Sequence, residues 1–160
     1  MILFAQLFDN FCLWTSVTAI FLAQFVKVLW NFSLHRKWNW RWFYLSGGMP
    51  SGHTSAVTSL ATSIGITQGF HTTSFAIATI IGIIVMYDAT GVRRQAGMQA
   101  QAINQLIDDF AALLHEIRTS KLNLEHRNRL KEILGHKPIE VFVGAWFGIF
   151  VALIMLMVWY

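Results

Sequence analysis

Three or four stretches of this chain stay mostly apolar for about 20 residues, the length a helix needs to cross the hydrocarbon core of a bilayer. Placed within 160 residues, they leave one long segment for water. The chain therefore reads as an all-α integral membrane protein, with about four transmembrane helices and a cytoplasmic amphipathic helical segment. Composition agrees, since 55% of residues are hydrophobic and only 12% charged, a balance that water-soluble domains rarely reach. A single membrane-embedded domain covering residues 1–160 is expected, with helices at about 11–32, 51–69, 74–90 and 138–160 and the amphipathic segment at about 92–134.

Each boundary has a local reason. The first stretch is interrupted only by Gln24 and Lys27 and runs into Arg36, Lys37, Trp38, Trp40, Arg41 and Trp42, where cations alternate with tryptophans as they do at lipid headgroups. The segment from Ser46 to Pro50 is a turn signal, and the helix after it is rich in Ser, Thr, Ala and Gly, small residues that let membrane helices approach closely. From Val92 to Ile117 the apolar positions Ile103, Leu106, Ile107, Phe110, Leu113, Leu114 and Ile117 recur every three or four residues, the pattern of an amphipathic helix. The helix is expected to lie on or near the membrane surface, with these positions as its buried face against the bundle, lipid or another subunit. A short helix is expected from about Asn123 to Leu134, ended by Gly135, with Pro138 opening the last span. Met1 to Trp14 has neither a preceding basic residue nor a small-residue cleavage pattern after it and is expected to stay in the mature chain.

The formal net charge of +4 does not point to nucleic acid, because the cations sit in loops beside apolar runs. Three of them precede the second helix and eight lie between Arg93 and Lys137, while the turn between the second and third helices has none. The positive-inside rule then puts both basic segments in the cytoplasm and both termini outside. Cys12 is the single cysteine, which excludes an intrachain disulfide and a two-cysteine redox motif.

On that topology Lys27, Ser51, Gly52, His53, Asp88, Arg93, Arg94, His136 and Glu140 all fall at the cytoplasmic ends of helices. Ionisable groups at membrane depth are costly, so their convergence suggests one polar site. Ser51, Gly52 and His53 open a helix after a Gly-Gly-Met-Pro turn, offering unpaired N–H groups to an anion such as phosphate. His136 and Glu140 are four apart at another helix start, so the carboxylate can fix the ring tautomer and leave the other nitrogen free to attack. The bland readings are an ordinary helix cap at Ser51, a lysine snorkelling to the headgroups at Lys27, and arginines that only set topology. Asp88 is expected to pair with one of those arginines.

Three ordered motifs carry a resemblance: residues 47–56 (GGMPSGHTSA), 87–94 (YDATGVRR) and 134–141 (LGHKPIEV). Together with Gln24 and Lys27 they look like the divergent type 2 phosphatidic acid phosphatase family, related to acid phosphatases and vanadium haloperoxidases. The resemblance implies an all-helical, metal-independent phosphatase without a cofactor that passes through a phosphohistidine. Carried over, His136 is the nucleophile, Glu140 its orienting carboxylate and His53 the acid. Ser51, Gly52, Lys27, Arg93 and Arg94 bind phosphate, Asp88 gives structural support, and no residue binds metal. The implied substrate is a membrane lipid phosphate or diphosphate (phosphatidylglycerophosphate, phosphatidic acid or an isoprenyl diphosphate), met at the cytoplasmic leaflet of a bacterial plasma membrane. A homo-oligomer is compatible with the sequence.

The chain departs from the wider superfamily pattern. Leu34 stands where an arginine would follow Lys27 by seven residues, Leu130 stands six before His136 with Arg129 beside it, and Glu140 replaces an aspartate. These departures keep open a non-catalytic membrane protein that binds lipid phosphate or serves assembly. A magnesium-dependent phospholipid transferase using Asp88, Asp108 and Asp109 is a weaker alternative, because a continuous helix separates the first from the other two by about 30 Å.

Overall fold

The computed structural model describes residues 6–36, 43, 47–117 and 135–160, with the side chains of residues 34, 35 and 114–117 outside that description. The interfacial tryptophans at 38–42 and the short helix expected near 123–134 therefore lie outside the described residues. Five long helices make up the rest: α1 (Phe11–His35), α2 (Gly52–Gln68), α3 (Thr73–Thr90), α4 (Val92–Ile117) and α5 (Pro138–Trp159). Among the described residues there is no strand, and the protein is an all-α integral membrane protein.

The helix starts are chemically defined. The Asn10 side chain accepts a hydrogen bond from the Leu13 N–H at 3.0 Å, and the Thr72 hydroxyl accepts from the Phe75 N–H at 3.3 Å. Pro138 opens α5, and the Glu140 side chain reaches back to accept from the Lys137 N–H at 3.2 Å. Each cap satisfies a donor that the first helical turn leaves without an intrahelical partner.

Contacts at the two ends give the topology. Phe11 meets Trp159 and Tyr160 edge to face, and the Cys12 sulfur lies 3.6 Å from the Thr67 hydroxyl, so α1 begins where α2 and α5 end. At the opposite end the Ser51 N–H donates to the Glu140 carbonyl at 3.2 Å and the His136 N–H donates to the Ala89 carbonyl at 3.0 Å. The helices α1, α2, α3 and α5 thus alternate in direction, and one end of the bundle gathers the starts of α2 and α5 with the end of α3.

Stretches within α1 (Phe11–Ser33), α3 continued into α4 (Thr73–Leu113) and α5 (Pro138–Trp159) are long and apolar enough to cross a membrane. Their outward side chains, such as Phe21, Phe25, Ile80, Ile84, Trp146 and Phe150, are exposed and suited to lipid. The expected count of four spans is approximate, because α2 is shorter and hydroxyl-rich. Instead of facing lipid it sits in the middle, packed most extensively on α5, then α1, then α3.

A helix so rich in hydroxyls is stable inside an apolar bundle because each hydroxyl finds an acceptor. Ser55, Thr58, Thr62 and Thr67 donate to the carbonyls four residues earlier at 2.7–2.9 Å. Ser59 and Ser63 donate to the carbonyls three residues earlier, both at 2.9 Å. Unpaired, each would carry the desolvation cost of a polar group in hydrocarbon. The small side chains then let α5 come close. A methyl group added at Gly144 would lie 2.8 Å from the Ser51 carbonyl oxygen, and one at Gly148 would overlap the Thr58 hydroxyl and the Ser55 carbonyl. The Ser55 hydroxyl also donates across to the Gly144 carbonyl at 3.0 Å, so the two backbones are joined as well as close.

Among the described residues the bundle does not cover the α4 stripe, which leaves lipid or another subunit as the partners expected for it. Ile103, Leu106, Phe110 and Leu113 are all exposed, whereas Gly97 and Asn104, on the polar side of the helix, are buried. The reason is that the polar edge of α4 turns toward the polar end of the bundle.

These contacts predict opposite outcomes at two glycines. Gly148→Leu forces α2 and α5 apart and is expected to destabilise the fold by about 1–3 kcal/mol. Gly82→Ala places its methyl 3.6 Å from Val57, an ordinary contact, and is expected to be neutral or to stabilise by up to about 1 kcal/mol through helix propensity. Thermal unfolding of the detergent-purified variants, followed by tryptophan fluorescence, measures both.

Candidate active site

At the end where α2 and α5 begin, a cleft of about 250 Å³ opens between three elements. Its walls are Gly47 and Gly48 ahead of α2, residues Gly135, His136, Lys137 and Glu140 at the start of α5, and Arg94, Gly97, Met98 and Gln101 from the first turns of α4.

The best-defined part is the start of α5. The Nδ1 of His136 lies 2.9 Å from the Glu140 Oε2, in a setting where the imidazole is 6% and the carboxylate 16% exposed. The four-residue spacing on a helix start makes this contact, and the His136 N–H bonded to Ala89 fixes the backbone beneath it. An ionised carboxylate only accepts hydrogen bonds, so this contact puts a proton on Nδ1, and in the neutral ring the lone pair is then on Nε2.

Gly135 makes that geometry possible. Its φ is +87°, a region that favours glycine, and an added methyl would run into the backbone of Arg93 and Arg94. The start of α4 therefore rests directly on the residue before His136, which puts Arg94 on the cleft wall. Arg93 turns elsewhere: its Nε is 2.6 Å from the Asp88 Oδ2, an exposed pair that organises the α3–α4 corner. Such a pair adds little to stability.

Lys27 does not snorkel to the surface. It is 1% exposed, its aliphatic stem lies against Gly48 (φ +85°), and the charge of Glu140 reaches its ammonium. Burying an ammonium is costly unless an anion compensates, and the Glu140 carboxylate supplies that charge. Asn31 lies one turn further along α1 and donates to the Lys27 carbonyl at 2.9 Å.

The Pro-Ser-Gly-His segment divides its roles. Ser51 is completely buried, caps α2, and accepts a hydrogen bond from the Thr54 hydroxyl at 3.0 Å. Gly52 backs onto the Gln24 side chain, whose Nε2 would lie 3.1 Å from an added methyl. His53 is exposed, the cations Arg93 and Lys27 disfavour its charged form, Asp88 favours it, and the His136 ring lies close enough to interact with it. The two imidazoles are thus within each other's field, although Ser51, Gly52 and His53 are not among the described residues that line the cleft.

Sequence reasoning did not single out Gly97, Met98 and Gln101, which complete the cleft. The available signal was that Gly97 and Gln101 fall off the apolar stripe of α4, one turn apart and one and two turns after Arg93 and Arg94. Among the described residues no group of three or more His, Cys, Asp or Glu side chains is arranged to hold a metal ion.

Comparison with known proteins adds the lineage. The chain is 43% identical over 152 residues to the uncharacterized membrane protein YuiD of Bacillus subtilis, an alignment that covers 94% of this chain and 96% of that protein. No solved structure matches it. A sequence model of the Divergent PAP2 family matches residues 8–151, nearly the whole length and all three motifs, and the chain belongs to that family.

Proposed function

We propose that this protein is a membrane-bound phosphatase that hydrolyses a lipid phosphate or diphosphate through a phosphohistidine on His136. The observation that carries this reading is the 2.9 Å contact between the His136 Nδ1 and the Glu140 Oε2 beside a cleft walled by Arg94. It leaves one imidazole nitrogen with a free lone pair next to a cationic pocket, the arrangement a nucleophilic histidine requires. Family membership supports the same chemistry.

In the proposed reaction the Nε2 lone pair attacks the terminal phosphorus, and the bond from it to the leaving oxygen breaks, that oxygen being the lipid oxygen of a monophosphate or the bridging oxygen of a diphosphate. Protonated His53 gives its proton to that leaving oxygen. Water then attacks the phosphorus of the phosphohistidine while His53 takes a proton from that water, the bond from phosphorus to Nε2 breaks and returns the lone pair to the His136 ring, and inorganic phosphate departs. Glu140 stabilises the positive charge that builds on the His136 ring as the bond forms. Lys27 and Arg94, with the N–H groups at the α2 and α5 starts, offset charge on the transferring phosphoryl oxygens. Arg93 acts through Asp88 or, once released, directly. The positive-inside rule, applied to the basic segments on either side of this end in the sequence, supports the cytoplasmic leaflet as its location, where phosphatidylglycerophosphate, phosphatidic acid and isoprenyl diphosphates all present a phosphate beside an apolar tail.

A second reading has its own support. The Ser51 hydroxyl is committed to capping, Arg93 is paired, and His53 stands outside the cleft wall, which suits a protein that binds lipid phosphate without turning it over.

Phosphate release from these lipids in detergent micelles with EDTA present separates the two. Wild type is expected to release phosphate, His136→Ala to lose activity altogether and His53→Ala to fall about 10²–10⁴-fold, both with unchanged unfolding temperatures, while Glu140→Gln is expected to fall in activity and also in unfolding temperature, because it removes the charge that compensates Lys27. Binding without release by the wild type would favour the second reading, and a transferase activity stimulated by magnesium in a separate assay and abolished in Asp88→Asn would favour the transferase.

The role of His53 has a separate consequence. An activated aryl phosphate needs little protonation of its leaving oxygen, so its first step is expected to survive in His53→Ala while hydrolysis of the intermediate slows. Radiolabelled phosphate carried by such a substrate should accumulate on the protein as an alkali-stable, acid-labile adduct. The same variant carrying His136→Ala should hold none.

A further inference from the structure

The α4 helix is amphipathic with its faces reversed relative to an ordinary surface helix. Its polar edge, Arg94, Gly97 and Gln101, borders the cleft, and Ile103, Leu106, Phe110 and Leu113 point outward at 46%, 68%, 61% and 55% exposure. A soluble protein would turn such a stripe inward. Here it extends a face already suited to lipid, because Ile77, Ile80, Ile84 and Tyr87 on the outer side of α3 are exposed too, and Val92 carries the face across the corner at Gly91.

We propose that α4 is a membrane-embedded amphipathic helix that lies in the boundary between headgroups and acyl chains of the leaflet facing the cleft, with its stripe against acyl chains. Continuity with the α3 lipid face is the first argument. Extent is the second: Ile103 to Leu113 is about 15 Å of helix, and four side chains over that length offer less than the ~800 Å² per partner that a stable protein interface buries. A helix so placed separates the cleft from lipid with one side chain layer on each face, so a phosphate held by Arg94 would sit about one helix diameter from acyl chains. The membrane placement itself does not depend on the reaction proposed above.

The test uses the full chain with Cys12→Ser as background and single spin-labelled cysteines at Leu106, Phe110, Gln105 and Asp109, reconstituted into phosphatidylcholine–phosphatidylglycerol vesicles. Oxygen partitions into acyl chains and a nickel chelate stays in water, so the ratio of their relaxation effects reports depth. The ratio is expected to be several-fold higher at Leu106→Cys and Phe110→Cys than at Gln105→Cys and Asp109→Cys. Equal ratios at all four positions would overturn the proposal. Spin–spin broadening at Leu106→Cys that vanishes on dilution with unlabelled protein would overturn it in favour of a second copy of the chain. Leu113→Cys repeats the measurement if Leu106→Cys fails to fold.

Discussion

Two helices can start at one place in a membrane only if their backbones nearly touch, and the approach of α5 to α2 at Gly144 and Gly148 achieves this. Everything at the polar end follows from that approach. It brings the Ser51 N–H to the Glu140 carbonyl, so the α2 cap and the first turn of α5 become one hydrogen-bonded unit. Two positive dipole ends then meet at one end of the bundle, a field that favours an anion. Without the glycines, the histidine and carboxylate of α5 would still pair, but the α2 start and the lysine beneath it would not be held beside them.

The bundle supports this polar end in part because the buried hydroxyls of α2 and the buried ammonium of α1 have partners. The hydroxyls of α2 return their hydrogen bonds to their own helix, and the buried Lys27 has Glu140 as its compensating charge. Glu140 is therefore shared by three groups: the His136 ring, the Lys137 N–H and the field at Lys27. Removing its charge would disturb a tautomer, a helix cap and a buried ammonium together.

Much of the architecture was legible because it rests on local chemistry. Apolar runs of bilayer length, the Ser46 to Pro50 turn and Pro138 at the α5 start are all signals confined to a few neighbouring residues. The small-residue character of α2 announced a central helix for the same reason. Other features depend on rotation about a helix axis that periodicity leaves free. The α4 stripe was visible as a stripe, but which side it turned to the protein depended on Gly135 packing against Arg94, a contact between residues 41 apart. Lys27 could snorkel or be buried by a modest rotation of α1, and the Gly48 turn that accepts its stem decided for burial. Ser51 read equally as a cap and a phosphate ligand, and the structure gives it the cap. The His136 and Glu140 pair was the most readable part of the candidate site because a four-residue spacing on a helix start already brings the two side chains together.

The central claim is that Glu140 holds the proton of His136 on Nδ1 and leaves Nε2 bare. Nitrogen-15 NMR of histidine-labelled protein in lipid, with His136 assigned from its loss in His136→Ala, reads the two ring nitrogens directly. At neutral pH the account predicts a protonated Nδ1 and an unprotonated Nε2 for His136, shifting toward the opposite tautomer in Glu140→Ala. A wild-type His136 carrying its proton on Nε2 would contradict it.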